Sequence, residues 1–439
     1  MLAIVVSRAD SASERIGDQL LRLAEWDARE DSARPDGAGG GTYYRTDGAE
    51  LRTFEELHLH VEGVAEGFDD PDLLAFASRH SGETGALLSA HHTGNFGRAE
   101  YGGADGSLAE AAPNALRRVR GALAEYAPEG YDVGIECTHH GPSDVGCPSL
   151  FVELGSGEPQ WSDPAGAEAV ARAILDLRGV DPNGTRSIVG FGGGHYAPRF
   201  DRVLVETDWG VGHVAADWCI ASIDGDRTDV VEAAFAESDA ERALLDGDHP
   251  QLVETIEGLG YELVSETWLR ETDGVDLDVV ERVEAELSSI DSGLRFGADA
   301  TIHAGGITTA EIPTGLLEEA NGIDREAVRS AVAERTVAYE TSEGATLVSG
   351  AVALGDGVDL QSIVEALAAV LERKYDDVAV REDAVLARRE AFDPELARRA
   401  GVEEGPAFGK LSAGETVEVD GETVAPDDVT SARERRFRR

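Results

Sequence analysis

The sequence predicts a layered α/β fold, built around a mostly parallel or mixed sheet and followed by an acidic α+β extension. Two observations lead to this fold class. Short apolar runs of strand length alternate with helical stretches through roughly the first 270 residues. Beyond that point acidic helices dominate and histidine nearly vanishes. We therefore expect a main domain at 1–270 and an accessory region at 271–439.

The first elements of the chain show this alternation. Residues 2–6 form a continuous apolar run, as expected for a strand that is buried on both faces. We expect a helix to follow, with a capping box formed by Ser11 and Glu14. A later helix should have Asp163 as its cap and Pro164 in its first turn. Further runs of strand length lie at 73–77, 86–90, 133–137, 150–154 and 188–191.

The accessory region contains acidic helical stretches at 275–288, 324–334 and 360–374. Residues 401–429 have a strand-turn-strand pattern around Asp420-Gly421, which predicts a small hairpin. The last residues, ARERRFRR, form a basic tail. We expect this tail to be disordered, with a contact to RNA phosphate as the alternative.

The charge balance is strongly acidic, with 38 basic residues against 86 acidic ones and a formal net charge of −48. Lys374 and Lys410 are the only lysines. Such a composition is typical of a protein adapted to molar salt, where the Debye length is about 3 Å and self-repulsion is screened. The periodic apolar segments argue against an acidic disordered chain. Any contact with nucleic acid would depend on local arginines, stacking and hydrogen bonds to an RNA end, because no global basic field is present.

The cysteines and the start of the chain narrow the cellular context. Cys137, Cys147 and Cys219 are too few and too scattered for a disulfide framework or a CxxC zinc knuckle, which favours a reduced cytoplasm. The apolar run at 2–6 is too short for a signal peptide or a membrane span. We interpret Cys147 as a buried, inert thiol rather than a nucleophile.

Histidine is concentrated in one part of the sequence. Of the 11 histidines, seven lie in a single window: His80, His91, His92, His139, His140, His195 and His213. Several of them directly follow predicted strands. Because the carboxyl ends of neighbouring strands meet at one crevice in an open α/β sheet, we expect these imidazoles to converge. Histidine pairs beside Glu136 and Asp144 suit zinc, which leaves one position for water. A metal-free alternative uses one histidine as a general base and backbone N–H groups as an oxyanion hole.

The segment GFGGGHYAP at 190–198 superficially resembles a dinucleotide-binding fingerprint. It fails that pattern because His195 occupies a glycine position, and we expect Pro198 to follow too closely for a helix to begin cleanly. The glycines should instead let backbone amides approach a substrate, with a tight turn as the alternative. The candidate substrate-binding residues of this segment are Gly192, Gly193, Gly194 and Tyr196.

Two further loops combine imidazole with small polar residues, HTGN at 92–95 and THHGP at 138–142. Loops of this composition commonly hold functional sites. Thr93 and Asn95 are therefore further candidates for substrate binding.

These segments resemble those of the archaeal-type D-aminoacyl-tRNA deacylases, a family also found in plants. The matching motifs agree in order and spacing over roughly residues 1–270: SRHS at 78–81, HTGN at 92–95 with His91 before it, YGG at 101–103, ECTHHGP at 136–142, PSLFVELG at 148–155, GGGHYAPR at 192–199 and GH at 212–213. In this family the metal-ligand position lies four residues before the asparagine, here at His91. His92 occupies a position that can be apolar, which makes it the weaker candidate.

The resemblance implies a zinc-dependent hydrolase that cleaves the ester between a D-amino acid and the terminal ribose of tRNA, with mischarged glycine as an additional substrate. It also implies a three-layer fold similar to phosphorylase and peptidyl-tRNA hydrolase-like domains, with 1–270 as the catalytic domain. We expect a cytoplasmic monomer with no obligatory protein partner. The expected zinc ligands are His80, His91, His139 and His195, and the residues expected to move protons are Glu136 and His140. A zinc peptidase or amidase of similar fold and a non-catalytic module that binds RNA ends remain as alternatives.

Overall fold

The structure is a computed structural model that describes residues 1–223, 227–301, 305–419 and 421–439. The chain divides into two compact units, Met1–Asp273 and Gly274–Arg439. The first unit contains the histidine-rich segments of the sequence.

The described part of the first unit contains two sheets, whereas the sequence led us to expect one. Its strands are β1 (Leu2–Ser7), β2 (Asp27–Asp31), β3 (Gly41–Thr46), β4 (Ala49–Phe54), β5 (Leu73–Arg79), β6 (Leu87–His91), β7 (Asp132–Ile135), β8 (Ser149–Gly155), β9 (Ser187–Gly192), β10 (Gly210–Ala215), β11 (Arg242–Asp246) and β12 (Glu262–Leu263). Each apolar run singled out in the sequence overlaps one of these strands, so those strand predictions are confirmed.

The first sheet is mixed and has the order β2-β3-β4-β1-β5-β8-β6-β7. Strands β4, β1, β5 and β8 run parallel, whereas β6 is antiparallel to β8. Because of this reversal, His91 at the carboxyl end of β6 pairs with Phe151, well before the carboxyl end of β8. Strand β6 is parallel to its other neighbour, β7, so His91 and the histidines that follow β7 lie at neighbouring parallel strand ends, as expected. Relative to β8, His91 lies over the face of the sheet.

The second sheet is parallel throughout, with the order β10-β9-β11-β12. His195 follows β9, and its carbonyl oxygen accepts a hydrogen bond from Cys137 N at 2.8 Å. Since Cys137 follows β7 of the first sheet, this bond links the ends of strands from both sheets.

Helices connect the strands of the first unit. They are α1 (Ser11–Leu23), α2 (Pro113–Tyr126), α3 (Glu158–Trp161), α4 (Pro164–Leu175), α5 (Pro198–Glu206), α6 (Asp217–Ser222), α7 (Thr228–Ala236), α8 (Pro250–Gly258) and α9 (Glu266–Glu271). Asp10, not Ser11, caps α1, because its carboxylate reaches two free N–H groups of the first turn. The predicted cap of α4, Asp163, is confirmed. Pro198 begins α5, contrary to expectation, since its fixed φ and missing N–H suit the first turn of a helix.

The second unit combines helices with antiparallel sheets, as expected of an α+β region. Its strands are β13 (Leu294–Phe296), β14 (Ile307–Glu311), β15 (Ala338–Ser342), β16 (Leu347–Gly355), β17 (Asp377–Val380), β18 (Ala384–Phe392), β19 (Val417–Val419), β20 (Glu422–Val424) and β21 (Thr430–Arg438). Its helices are α10 (Leu277–Glu286), α11 (Thr314–Ile323), α12 (Arg325–Ala333), α13 (Leu360–Leu371), α14 (Pro394–Arg399) and α15 (Pro406–Ser412). The predicted acidic helices correspond to α10, α12 and α13.

The C-terminal tail is ordered, so the expectation of disorder was wrong. It forms β21, which pairs antiparallel with β18 along its length. Phe437 lies opposite Val385 and is buried in the core of the unit, which anchors the strand despite its charge. The predicted hairpin is confirmed by the pairing of β19 with β20, while Asp420 in its turn lies outside the described residues. No helix in the described residues is long and apolar enough to span a bilayer.

Candidate active site

One face of β8 forms the floor of the site. Phe151, Glu153 and Gly155 lie on the same face because side chains alternate along a strand. The ring of His91 stacks on that of Phe151, with centroids 5.3 Å apart and planes inclined by 7°. Gly155 leaves room for His80, since a Cβ at this position would lie 2.6 Å from the Cβ of His80.

The segment after β7 supplies two more imidazoles, those of His139 and His140. The hydroxyl of Thr93 is buried and lies 2.7 Å from the carbonyl oxygen of His140, to which it donates. On the other side, the hydroxyl of Thr138 lies 3.0 Å from Nδ1 of the fully buried His213. These contacts fix the backbone on both sides of the histidine pair.

His91, His139 and His140 form a compact group whose ring centroids are 4.5 to 4.8 Å apart. In each residue Nδ1 lies 2.8 or 2.9 Å from a backbone carbonyl oxygen. Because a carbonyl can only accept, Nδ1 carries the proton and Nε2 presents its lone pair. Burial and the neighbouring imidazoles lower the pKa of His139 well below its usual range, and burial with His91 lowers the pKa of His140 to about 4. Both rings are therefore neutral at physiological pH.

This group has the donor chemistry of a zinc site. Zinc takes neutral imidazole nitrogen and carboxylate oxygen, and hydrogen bonds from the second ring nitrogen orient such ligands. Nε2 of His91 is buried and has no hydrogen-bond partner among the described residues. An oxygen of Glu153 lies 3.8 Å from it. The residues present therefore fit a zinc ion.

Glu136 is buried between two further imidazoles. His195 donates through Nε2 to Oε2 of Glu136 at 2.8 Å, and Nδ1 of His80 lies 3.2 Å from Oε1 and 3.6 Å from Glu153. Although burial opposes it, contact with His195 and His80 holds the pKa of Glu136 well below its usual range. Burial likewise opposes protonation of His80, but the two carboxylates raise its pKa to about 10. Oε1 of Glu136 has no partner of hydrogen-bonding geometry among the described residues, so its lone pair is available to a further donor such as water.

Two other groups in the described chain have metal-binding potential, Cys137 with His139 and His195, and His80 with Glu136 and Glu153. The neighbouring Cys219 and burial raise the pKa of the Cys137 thiol, which disfavours the thiolate that a metal requires. Sγ of Cys137 lies 3.6 Å from Nδ1 of His195, whose other nitrogen contacts Glu136. The three-histidine group, with its free lone pairs, is the better metal site.

A cavity of about 520 Å³ is lined by some members of these groups. Its volume suits a small ligand or the end of a larger one. Its lining includes Arg79, His80, Tyr101, His139, His140, Glu153 and His195.

Comparison with known proteins places these residues in a family. A sequence profile described as D-aminoacyl-tRNA deacylase matches residues 68–264, which contain all of the groups above. A protein of Natronomonas pharaonis with the same name is 63% identical over 100% of both chains. The chain belongs to the D-aminoacyl-tRNA deacylase family. A deacylase of this name from Halorubrum lacusprofundi is 52% identical over 100% of this chain and 96% of its own.

A solved structure is also similar to this family member. The crystal structure of a conserved protein of unknown function is 28% identical, with a TM-score of 0.56, and the match covers 62% of this chain and 98% of that chain. The two relatives named above come from halophilic archaea, in agreement with the acidic composition.

In this member of the D-aminoacyl-tRNA deacylase family, the side chains expected to bind zinc or move protons lie together: His80, His91, Glu136, His139, His140 and His195. Their grouping differs from the expectation. His140 lies with His91 and His139, whereas His80 and His195 contact Glu136.

Other sequence candidates lie outside this cluster. Nδ1 of His92 lies 3.0 Å from the carbonyl oxygen of Gly212, and its ring is turned away from the group that includes His91. Asp144, expected beside the histidines, is exposed, and its backbone N–H donates to Glu62. Cys147 is buried in an apolar cluster, as interpreted from the sequence.

Most candidate substrate-binding residues have contacts within the chain that hold the loops in place. The hydroxyl of Thr93 donates to the carbonyl oxygen of His140, and the amide of Asn95 donates to the carbonyl oxygen of Gly102 at 2.9 Å. Gly192 and Gly193 have φ of 96° and 76°, and a Cβ at Gly192 would lie 2.0 Å from the carbonyl oxygen of Asp246. The tight-turn alternative therefore accounts for both glycines.

Gly194 and Tyr196 remain candidates for contact with a ligand. A Cβ at Gly194 would meet no atom within 4 Å. Tyr196 is 38% exposed, and its hydroxyl lies 3.4 Å from Nε2 of His80.

Sequence reasoning assigned no role to Glu153 or Cys137. Glu153 is a single carboxylate within the apolar run LFVEL, and a buried charge of this kind requires partners. A carboxylate in this position was therefore a signal, available in the sequence, that Glu153 has polar or charged partners in the folded chain. Cys137 gave no comparable signal, because its proximity to His195 depends on the pairing between the two sheets.

Proposed function

We propose that this chain hydrolyses the ester between a D-amino acid and the terminal ribose of tRNA, with zinc as its cofactor. One observation carries the proposal. Three clustered imidazoles, each with Nδ1 beside a backbone carbonyl, lie close to a buried, ionised carboxylate and a cavity. They do so in a chain whose full-length relatives are named D-aminoacyl-tRNA deacylases.

His91, His139 and His140 would hold the zinc ion, with Glu153 as the adjacent carboxylate. Zinc bound there would supply a Lewis acid for activation of water and polarisation of the ester carbonyl. The bonds from Nδ1 to backbone carbonyls orient the imidazoles and fix the tautomer that presents Nε2, while burial lowers the pKa of His139 and His140. Oε1 of Glu136 accepts the proton of the attacking water, while His80 and His195 hold this carboxylate in place.

The enzyme selects the D-configuration by excluding L-amino acids from the cavity. A side chain of the wrong hand would clash with the cavity wall, so discrimination rests on repulsion rather than on added attraction. Glycine has no side chain to clash, which makes mischarged glycyl-tRNA a further substrate.

The proposal extends to the organisation of the protein. Residues 1–270 form the catalytic domain and 271–439 an accessory region. The alternation of parallel strands with helices supports a three-layer fold similar to peptidyl-tRNA hydrolases. The partner is the 3′ end of D-aminoacyl-tRNA, and the enzyme works as a monomer without an obligatory protein partner. Because aminoacyl-tRNA is made and used in the cytoplasm, we place the enzyme there.

The decisive experiment follows release of labelled D-tyrosine from D-tyrosyl-tRNA in molar KCl. We expect hydrolysis by the full chain, loss of activity after chelation, and recovery when zinc is restored. L-tyrosyl-tRNA should be spared. Equal activity of the chelated enzyme would refute the role of zinc.

The same assay separates the alternatives. Faster cleavage of D-tyrosinamide than of D-tyrosyl-tRNA would favour a zinc peptidase or amidase. Tight tRNA binding without turnover, together with an unchanged His140→Ala variant, would favour a module that binds RNA ends.

A further inference from the structure

Arg79 contributes an arginine side chain to the wall of the cavity. Among the described residues no carboxylate lies within ion-pair distance of it, in a chain with 86 acidic residues. The buried Asp10 carboxylate lines the same cavity and feels the charge of Arg79 from beyond ion-pair distance, but it already accepts backbone hydrogen bonds from Ala12, Ser13 and Arg79. The guanidinium of Arg79 lies instead over the ring of Trp161, 5.1 Å from its centroid. The geometry leaves its charge available for an anion.

Tyr101 presents an exposed ring from a closely packed loop that also lines this cavity. The residue is 62% exposed, yet its carbonyl oxygen accepts a hydrogen bond from Gly141 N at 3.0 Å. Gly102 has φ of 77°, and a Cβ there would lie 1.8 Å from the carbonyl oxygen of Leu59. Gly103 also has a positive φ, of 80°. The YGG motif thus fixes the backbone and leaves the aromatic face of Tyr101 open to solvent.

These two side chains have the chemistry that recognises one nucleotide. An aromatic face stacks on any nucleobase, and a guanidinium binds phosphate through paired hydrogen bonds. Stacking carries no charge and persists in molar salt, where long-range attraction of RNA to a protein is screened. The contact between guanidinium and phosphate is weakened by salt but keeps its short-range, directional hydrogen bonds. The net charge of −48 rules out a global basic field, so recognition must come from local contacts of this kind.

We propose that Arg79 and Tyr101 form the subsite for the terminal nucleotide of the tRNA, an inference that rests on the proposed function. Tyr101 stacks on the terminal base, and Arg79 binds the phosphate on its 5′ side. The ribose ester is thereby placed over the imidazoles of His139 and His140, which line the same cavity.

Binding of a short, unacylated RNA that ends in CCA tests this subsite without any need for hydrolysis. We expect Tyr101→Ala in the full chain to weaken binding by about 5- to 100-fold, the range for loss of one stacking contact. Arg79→Ala should weaken it by about 10- to 100-fold, the range for loss of hydrogen bonds to a charged group. Tyr101→Phe keeps the aromatic face and should bind nearly as the unmodified chain does. Tyr126→Ala, on α2 and outside the cavity lining, is the matched control and should have no effect. Equal binding by all variants, or no binding by the unmodified chain, would overturn the proposal.

Three esters of D-tyrosine separate recognition from chemistry: the tRNA ester, the 3′-adenosine ester and the ethyl ester. Tyr101→Ala should raise KM for the first two and leave the ethyl ester unaffected. Arg79→Ala should raise KM for the tRNA ester alone, because the nucleoside has no phosphate. Equal losses on all three esters would mean that the side chains act on the reaction or the fold, and would overturn the subsite. Failure of the unmodified chain to cleave any of them would refute the proposed function, while RNA binding still decides the subsite.

Discussion

Replacement of Glu136 by glutamine tests the proposed proton acceptor. The amide keeps the shape of the carboxylate, and His195 can change tautomer, since its Nδ1 faces Sγ of Cys137 at 3.6 Å. We therefore expect the fold to hold. An amide cannot take the proton of the attacking water, and general-base catalysis contributes about 10²- to 10⁴-fold to the rate. This corresponds to about 3–5 kcal/mol on the activation barrier. For Glu136→Gln we expect kcat on D-tyrosyl-tRNA to fall by that factor, with KM nearly unchanged.

The assay is release of labelled D-tyrosine in molar KCl, with zinc content measured on the same samples. Glu62→Gln is the matched control. Its carboxylate accepts hydrogen bonds from the backbone N–H groups of Ser143 and Asp144, which an amide oxygen can still do. Zinc content should stay constant in both variants, because the proposed ligands are histidines. A Glu136→Gln enzyme with the kcat of the unmodified chain would refute the assignment of the proton acceptor.

Two further substitutions test how the site is held. Thr93→Val removes the hydroxyl that lies 2.7 Å from the carbonyl oxygens of His140 and Pro142. Because the carbonyl oxygen of His140 keeps a hydrogen bond from Gly94 N, we expect a loss of about 0.5–1.5 kcal/mol, measured as a lower thermal midpoint, whereas Thr93→Ser should stay close to the unmodified chain. Equal midpoints for the two variants would contradict this account. Gly192→Ala forces a Cβ to 2.0 Å from the carbonyl oxygen of Asp246 and should destabilise the chain, whereas Gly194→Ala enters open space and should be tolerated. The reverse order of thermal midpoints would show that the turn geometry is misjudged.

Local sequence patterns predicted the strands and several helices well, because burial and capping act over a few residues. The apolar runs at 73–77 and 150–154 both lie within strands of the first sheet. The direction of β6 was not accessible in the same way, since it depends on pairing with a strand about sixty residues later in the chain. The tail shows a different limit. Its charge suggested disorder, but the burial of Phe437 against the core of the second unit outweighs that charge.

The sequence allowed us to predict that the histidines and Glu136 lie close together. It did not allow us to predict which imidazoles form the three-histidine group and which ones contact Glu136. Histidines and Glu136 occur in short motifs directly after strands, so their convergence could be anticipated. Which imidazoles keep a free Nε2 depends on backbone carbonyls and carboxylates that only the folded chain brings near. For the same reason Thr93 looked like a substrate ligand, although its hydroxyl serves the backbone of the histidine segment.

Zinc content per chain, measured by elemental mass spectrometry on the purified protein and its histidine variants, tests the central claim most directly. We predict stoichiometric zinc in the unmodified chain and in His92→Ala, whose ring faces Gly212. We predict loss of that zinc in His91→Ala and His139→Ala, which each remove one of the clustered lone pairs. Zinc retained in these two variants, or lost equally from His92→Ala, would contradict the account.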